Sequence, residues 1–139
     1  LKARKFPCDM FHGGMEPTRP RTCALQVRNG SCAVLISTDL AARGLDIPGI
    51  ENVVHYHPPV NEEAYTHRNG RTARWEASGN AYLVLHAEER VPEYISEDIE
   101  TYEFPETLPK PAKPRWATLY IGKGKKDKLN KIDIVGFLV

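Results

Sequence analysis

The segment CAVLIS, residues 32–37, constrains the fold most, because its apolar run lacks the polar alternation of a half-exposed strand. A run of this kind is typical of a strand that is covered on both faces. Three further segments are predicted as strands: residues 6–11, 51–57 and 80–86. Helices are predicted between them, over residues 18–28 and 62–68, the second with Asn61 as its N-cap. This alternation predicts an α/β fold, in which helices flank a parallel sheet.

Composition places the chain among globular proteins that bury a core. It has 139 residues, of which 41% are hydrophobic and 27% charged. No apolar run approaches the ~20 residues of a membrane-spanning helix, so no membrane contact is predicted. Three cysteines without metal-ligand spacing fit a reducing cytoplasm. No metal site is expected, and the strand histidines His55, His57 and His86 look unremarkable.

Charge is unevenly distributed along a chain whose net charge is only +1. Residues 88–106 hold eight acidic side chains and one basic one, whereas residues 110–131 hold eight basic ones and one acidic one. A basic end fits local contact with a polyanion, although solubility alone explains it equally well. Four prolines within residues 104–116 predict an extended linker. A strand over Thr118–Ile121, a basic loop and the start of an amphipathic helix are predicted after it.

The segment TDLAARGLDIP, residues 38–48, directly follows the buried strand CAVLIS. In open parallel sheets, ligands bind outside the carboxyl ends of the strands. Thr38 can therefore donate to a phosphate and Asp39 can accept from a ribose, while Gly44 allows close approach of the backbone. The alternative is that Asp39 only caps a short turn.

The segment HRNGRTARW, residues 67–75, spaces three arginines three residues apart. Arginine forks match phosphate oxygens in pairs, and an arginine at a γ-phosphate stabilises the charge that develops in phosphoryl transfer. The alternative is a solvated basic helix face. The sequence contains no G-x-x-x-x-G-K-[ST] loop and no acidic pair directly after a predicted strand to hold Mg²⁺. By itself the chain cannot cradle a triphosphate, but it can offer the second wall of such a site.

Together, TDLAARGLDIP and the later YTHRNGRTAR resemble motifs V and VI of the DEAD-box ATP-dependent RNA helicases. HGGME, residues 12–16, is similar to the segment that precedes the first helix in that family. The resemblance implies that residues 1–95 form the second, RecA-like lobe, with its first strand lying before Leu1. It further implies RNA and ATP as ligands, with Mg²⁺ and most of the ATP held by an N-terminal RecA-like lobe.

The resemblance also implies roles for individual residues. It places Arg71 and Arg74 at the γ-phosphate and Asp39 at the ribose, and it makes His67 the residue that couples the nucleotide site to the other lobe. It places Gly13, Thr38, Arg43 and Gly44 in contact with the RNA backbone. Asp46 is implied to brace the arginines by an ion pair, and Arg68 to serve structure. Pro17 and Pro20 stand where the family usually has a glutamine and an arginine of the RNA side.

Residues 117–139 resemble the start of the RNA-binding domain of DbpA-type helicases, a variant of the RNA recognition motif with a β-α beginning. In that case Tyr120 stacks on a base, and four lysines meet phosphates: Lys123, Lys125, Lys126 and Lys128. The alternative is sheet packing for the tyrosine and a solubilising loop for the lysines. Residues 96–116 are then a linker, acidic at first and proline-rich later.

The leading hypothesis is therefore a second helicase motor lobe that is inactive alone. It completes an ATP site and binds the RNA backbone when it closes on the other lobe. The alternative is a catalytically silent RNA-binding or assembly module, since no motif that grips the nucleotide is present.

Overall fold

The computed structural model describes residues 1, 3, 6–16, 19–43, 47, 49–72, 79–96 and 98–139. Four strands and four α-helices follow one another along these residues. In chain order they are β1 (Cys8–Phe11), α1 (Arg19–Arg28), β2 (Val34–Ser37), α2 (Asp39–Ala42), β3 (Asn52–His55), α3 (Glu62–Asn69), β4 (Asn80–Leu83) and α4 (Lys131–Leu138). A short 3-10 helix, Lys125–Asp127, precedes α4. The predicted alternation of strands and helices is confirmed.

The strands pair in parallel, as predicted, and form two two-stranded sheets among the described residues. β1 pairs with β2, and Phe11 lies opposite Ser37 at their carboxyl ends. β3 pairs with β4, and His55 lies opposite Leu83. Because both strands of each pair end at the same edge, the segments that follow them emerge side by side.

The core lies between the first sheet and the helices around it. It consists of four buried side chains, Phe11, Cys23, Ala41 and Ile47, with partly buried ones packed around them. Val27 of α1 lies three residues after Ala24 and four after Cys23, so these apolar side chains share one face of the helix. That face covers β1 and β2, and the Cys23 side chain is fully buried there.

Both longer helices of the lobe begin or end at the predicted signals. The Asn61 Oδ1 accepts from the backbone N–H of Ala64 at 2.9 Å, so Asn61 is the N-cap of α3. α1 ends at Asn29-Gly30, where Gly30 adopts a left-handed φ of 74° that favours glycine. The longest helix among the described residues is α1, and none is both long and apolar enough to cross a bilayer.

The expected strand over Thr118–Ile121 is wrong, because this segment has no regular structure. A strand requires a neighbour to take up its backbone N–H and C=O groups, and none pairs with it in residues 98–139. The predicted helix does form, as α4, but its apolar side chains are exposed, with Phe137 at 90%. Among the described residues, the last buried side chain is that of Ile95.

Candidate functional site

An ion pair between α3 and the segment after β2 forms the centre of the candidate site. Arg68 Nε donates to Asp39 Oδ1 at 2.6 Å, and Arg68 Nη2 donates to Asp39 Oδ2 at 2.8 Å. Two parallel N–H···O bonds make this a fork-to-fork pair, which fixes orientation as well as distance. The pair joins residues 29 positions apart in sequence. We call it the Asp39–Arg68 clamp.

The rest of the Arg68 guanidinium holds the carboxyl end of β3. Its Nη1 donates to the backbone oxygen of His57 at 3.0 Å and lies 3.4 Å from Nδ1 of His55. A guanidinium only donates, so this His55 nitrogen is the acceptor. His55 Nε2 then carries the proton and donates to Asn69 Oδ1 at 2.8 Å. One neutral histidine thus connects β3 to the last two residues of α3, Arg68 and Asn69.

Burial of the His55 ring supports the neutral form of this histidine. The side chain is 1% exposed and stacks on Tyr65, with ring centroids 5.4 Å apart. Desolvation lowers the pKa of His55 below its usual value, because a charged imidazolium loses its hydration there. The neighbouring Arg68 cation acts in the same direction, whereas the hydrogen bond with Asn69 and the charge of Asp39 oppose it.

Asp39 is held as a carboxylate. The hydrogen bonds from Arg68 are the main reason that its pKa is lowered, and the charges of Arg68, Arg43 and His67 add to them, while burial opposes the shift. Each carboxylate oxygen has a second lone-pair site. Asp39 is 44% exposed, so it retains the capacity to accept from a hydroxyl group while it pairs with Arg68.

The last turn of α3 carries a second basic pair. Arg71 Nη2 donates to His67 Nε2 at 2.8 Å, so this histidine nitrogen is an acceptor. The turn continues past the helix through the N–H of Gly70, which bonds to the oxygen of Thr66 at 2.8 Å. Arg71 therefore lies at the negative end of the helix dipole, which favours a cation.

Thr38 caps α2, and Asp39 occupies the first turn. The Thr38 side-chain oxygen accepts from the N–H of Ala41 at 3.4 Å, so the turn is capped by Thr38 and not by Asp39. Arg43 is the exposed C-cap of the same helix. Gly13 lies in the exposed turn after β1. Since Phe11 and Ser37 are register partners, Gly13 and Thr38 follow adjacent strand ends.

The remaining predicted site residues lie either outside the described residues or in the tail. Gly44, Asp46 and Arg74 lie outside the described residues, as does Pro17. In the tail, Tyr120 is 66% exposed, and Lys125 and Lys126 lie in the exposed 3-10 helix. Lys123 pairs locally with Asp127 at 3.5 Å.

Sequence reasoning missed His55 and Asn69. The available signal was burial in β3, where the inward positions Val53 and His55 alternate with exposed ones. A histidine on the inward side of a strand must find polar partners. Both partners, however, come from α3, more than ten residues further along the chain. No group of three or more potential metal-ligating side chains occurs in the part of the chain that the structure describes.

Comparison with known proteins identifies the family. The helicase conserved C-terminal domain matches residues 1–76. The ATP-dependent RNA helicase mak-5 of Neurospora crassa is 54% identical over 100 residues, covering 66% of this chain and 12% of the relative. The ATP-dependent RNA helicase DbpA of Bacillus subtilis is 32% identical over 161 residues, covering 94% of this chain and 33% of the relative.

Solved structures agree with these sequence matches. The C-terminal domain of the DEAD-box protein Dbp5 is 32% identical and has a TM-score of 0.55, with 63% of this chain and 52% of that chain covered. The chain spans at most about a third of the two curated relatives described above. It carries the RecA-like fold of the helicase C-terminal lobe, and it belongs to the helicase conserved C-terminal domain family.

Proposed function

We propose that this chain is the second motor lobe of an ATP-dependent RNA helicase, which works by closing on an N-terminal RecA-like lobe. The observation that carries the proposal is the Asp39–Arg68 clamp. It holds the basic end of α3 beside the residues that follow β2. Because Arg71 comes shortly after α3, the clamp also holds Arg71 near the edge of the sheet at which parallel α/β folds bind ligands. We take residues 1–95 as this lobe, 96–116 as a linker and 117–139 as the start of an RNA-binding domain, in a cytoplasmic protein.

The side chains of the candidate site are of the types that can form one side of an ATP site. Arg71, with Arg74 proposed from the sequence, supplies cations to the γ-phosphate, and Asp39 retains an acceptor for the ribose. Bound ATP would supply the phosphoryl group that is transferred to water. Fixed arginines stabilise the charge of such a transfer, an effect worth about 10³–10⁵ in rate when one of them is the arginine finger. Mg²⁺ and the rest of the triphosphate are assigned to the other lobe.

His67 has a separate role in this proposal. Its Nε2 accepts a hydrogen bond from Arg71, and it lies in the last turn of α3, at the end of the helix that would meet the partner lobe. A change at the lobe interface that moves His67 also moves Arg71. We therefore assign His67 to coupling lobe closure to the nucleotide site.

RNA is proposed to bind along the adjacent strand ends and to the tail. Gly13, Thr38, Arg43 and Gly44 supply the backbone contacts, and exposed Tyr120, Lys125 and Lys126 extend them. The similarity to DbpA supports the assignment of the tail, because a match that covers 94% of the chain reaches into residues 117–139. These contacts go mainly to phosphate, so affinity falls as salt rises.

The test is RNA-stimulated ATP hydrolysis by this chain joined behind the N-terminal lobe of a DEAD-box relative. Arg71→Ala is expected to lower the rate at least about 10³-fold with RNA affinity retained, because the lost charge acts on the transition state. Arg90→Ala is the matched control, since Arg90 is exposed on a loop after β4. The chain alone is expected to hydrolyse no ATP. Equal rates for the two variants would contradict the proposal.

The same assay separates the alternative of a silent RNA-binding or assembly module. That module would bind RNA and show no stimulated hydrolysis in any form, with or without Arg71.

A further inference from the structure

A shallow cavity lies at the opposite end of the first sheet from the Asp39–Arg68 clamp. The turn between α1 and β2 leads into the amino end of β2, whereas Asp39 follows its carboxyl end. The proline-rich linker passes beside this turn, and the two segments border an open cavity of about 380 Å³. That volume lies within the range of small-ligand pockets, which is roughly 300–1,000 Å³.

The chain directly after the linker is attached here, at Thr118, by a closed ring of hydrogen bonds. Asn29 Nδ2 donates to Thr118 Oγ1 at 2.9 Å, and Ser31 Oγ donates to Asn29 Oδ1 at 2.6 Å. The hydroxyl groups of Ser31 and Thr118 lie 2.6 Å apart, so Thr118 completes the ring as donor. The loop geometry is set by the turn itself, because the N–H of Ser31 also donates to Asn29 Oδ1. The linker wall of the cavity is therefore held at a defined place.

Cations and an aromatic ring line this cavity. Arg28 comes from the last turn of α1, and Lys113, Arg115 and Trp116 come from the linker. None of the residues that line the cavity is acidic. Trp116 is 66% exposed, so the indole ring is accessible although it borders the cavity.

We propose that this cavity binds a segment of single-stranded RNA, with one base stacked on Trp116 and its flanking phosphates held by Arg28, Lys113 and Arg115. Aromatic platforms combined with cations are the usual means of holding single strands without reading their sequence. Three cations exceed what a single phosphate requires, and the exposed indole offers its face to a base. A strand therefore fits the set better than a free phosphate does.

The inference rests on the proposed function only in taking RNA as the nucleic acid. Among the described residues, none that lines the cavity belongs to the proposed ATP site, and the first sheet lies between the cavity and the Asp39–Arg68 clamp. A strand bound here occupies a different surface from RNA that crosses Gly13 and Thr38. The cavity is thus an RNA contact in addition to those proposed for the strand ends and the tail, and it does not depend on closure of the lobes.

The first measurement is fluorescence anisotropy of a labelled 12-nucleotide oligouridylate titrated with this chain. Trp116→Ala is expected to weaken binding about tenfold, the loss typical of one stacked base. Phe104→Ala is its matched control, because Phe104 is an equally exposed aromatic residue of the same linker outside the cavity. Equal affinities for these two variants would overturn the proposal.

The charges are tested by the salt dependence. For Lys113→Ala/Arg115→Ala, the slope of log affinity against log salt should become shallower by about 1.4, since each single-strand phosphate contact contributes about 0.7. Lys110→Ala, in the same linker but outside the cavity lining, should change the slope by less. A slope that the double variant leaves unchanged would show that these side chains do not contact phosphate.

The attachment ring offers a third variant. Thr118→Val removes the hydroxyl group but keeps the shape of the side chain, so it releases the linker wall without touching the cavity lining. Weaker binding by this variant is expected, and unchanged binding would contradict a cavity that depends on the docked linker. Circular dichroism spectra of all variants should match that of the parent chain.

Failure of this inference is distinguishable from failure of the proposed function. Arg71→Ala should leave oligouridylate affinity at this cavity unchanged while it lowers ATP hydrolysis in the two-lobe protein. Binding that depends on Trp116 without any stimulated hydrolysis would overturn the proposed function alone. Hydrolysis that depends on Arg71, with Trp116→Ala neutral in binding, would overturn the cavity alone.

Discussion

The lobe and the tail of this chain are ordered by different kinds of contact. In the lobe, Arg68 reaches Asp39 across 29 residues, and His55 is buried against α3. In the tail, the bonds that shape the helices are local. Asp133 accepts from the N–H of Asn130, three residues away, and the side chain of Lys123 reaches only as far as Asp127.

This difference has an energetic meaning. Burial of apolar surface drives folding, whereas a capped helix turn in water is worth only a few tenths of a kcal/mol to about 2 kcal/mol. Unfolding of the whole chain should therefore report on the lobe. Changes in residues 98–139 should act locally, and four tests examine this, from the largest expected effect to the smallest.

The largest effect is expected from Arg68→Ala. The change leaves the Asp39 carboxylate, the His57 carbonyl and the His55 ring without their shared donor. The free energy of unfolding, measured in urea, should fall by about 3 kcal/mol, the upper end for hydrogen bonds to charged groups. Arg68→Lys should recover little, because an ammonium group cannot form the paired bonds.

Arg90→Ala is the control for that measurement, since Arg90 is exposed. It should shift stability by less than about 0.5 kcal/mol. A loss for Arg68→Ala no larger than that of the control would show that the Asp39–Arg68 clamp contributes nothing to the lobe.

Two glycines allow a direct comparison of the regions. A Cβ at Gly79 would clash with Cβ of Thr72, which is itself buried, whereas one at Gly122 would meet only the Tyr120 ring at 3.6 Å. Gly79→Ala should cost about 2 kcal/mol through overpacking, and Gly122→Ala less than about 0.5 kcal/mol. Chemical denaturation measures both, and equal losses would remove the contrast between lobe and tail.

The third test uses the pH dependence of stability. The folded pKa of His55 is lowered, so the unfolded chain binds its proton more readily. The stabilising contribution is complete above the unfolded value of about 6.5 and is lost as pH falls below it, by up to about 1.4 kcal/mol per pH unit. Urea titrations at pH 7.5 and 5.0 measure this, and His55→Asn should reduce the difference. Exposed His86→Asn should retain it, and a slope unaffected by either change would exclude His55 as its source.

The smallest effect on the whole chain is expected in α4. Asp133→Ala removes the bond to the N–H of Asn130, which lies 2.7 Å from Asp133 Oδ2. Helix content should fall slightly in circular dichroism, because one capping contact is lost. The urea midpoint should not move. A shifted midpoint would indicate that α4 is coupled to the lobe.

Much of the fold was predictable because its signals are local. The Asn61 cap and the Asn29-Gly30 helix end each act within a few residues, and each appears in the structure where it was expected. The segment CAVLIS forms strand β2 as predicted, but the expectation that this strand is covered on both faces is wrong, because Ile36 is 49% exposed and no strand other than β1 pairs with β2 among the described residues. The prediction of a strand over Thr118–Ile121 was wrong because it also rested on local signals alone. Its apolar and aromatic residues favour a strand, but a strand forms only when another one lies beside it.

The candidate site was predictable only in its chemistry. The sequence indicated that Asp39, His67 and Arg71 belong to one site, and the edge after β2 as its place. It did not indicate that Arg68 is the residue that pairs with Asp39, nor that a ring nitrogen of His55 accepts from Arg68. Partners 13 and 29 residues apart are selected by the packing of α3 against both strand ends, which no local pattern encodes.

By itself, therefore, the sequence determined the elements, their parallel order and the residue types that can meet a nucleotide and RNA. Backbone propensity and capping act over short distances, so they can be read from a single chain. Tertiary structure alone decided which arginine pairs with which acid, which histidine is buried, and where the linker crosses the turn after α1. Those choices depend on bringing distant segments together, because only then do burial and charge select among many possible partners.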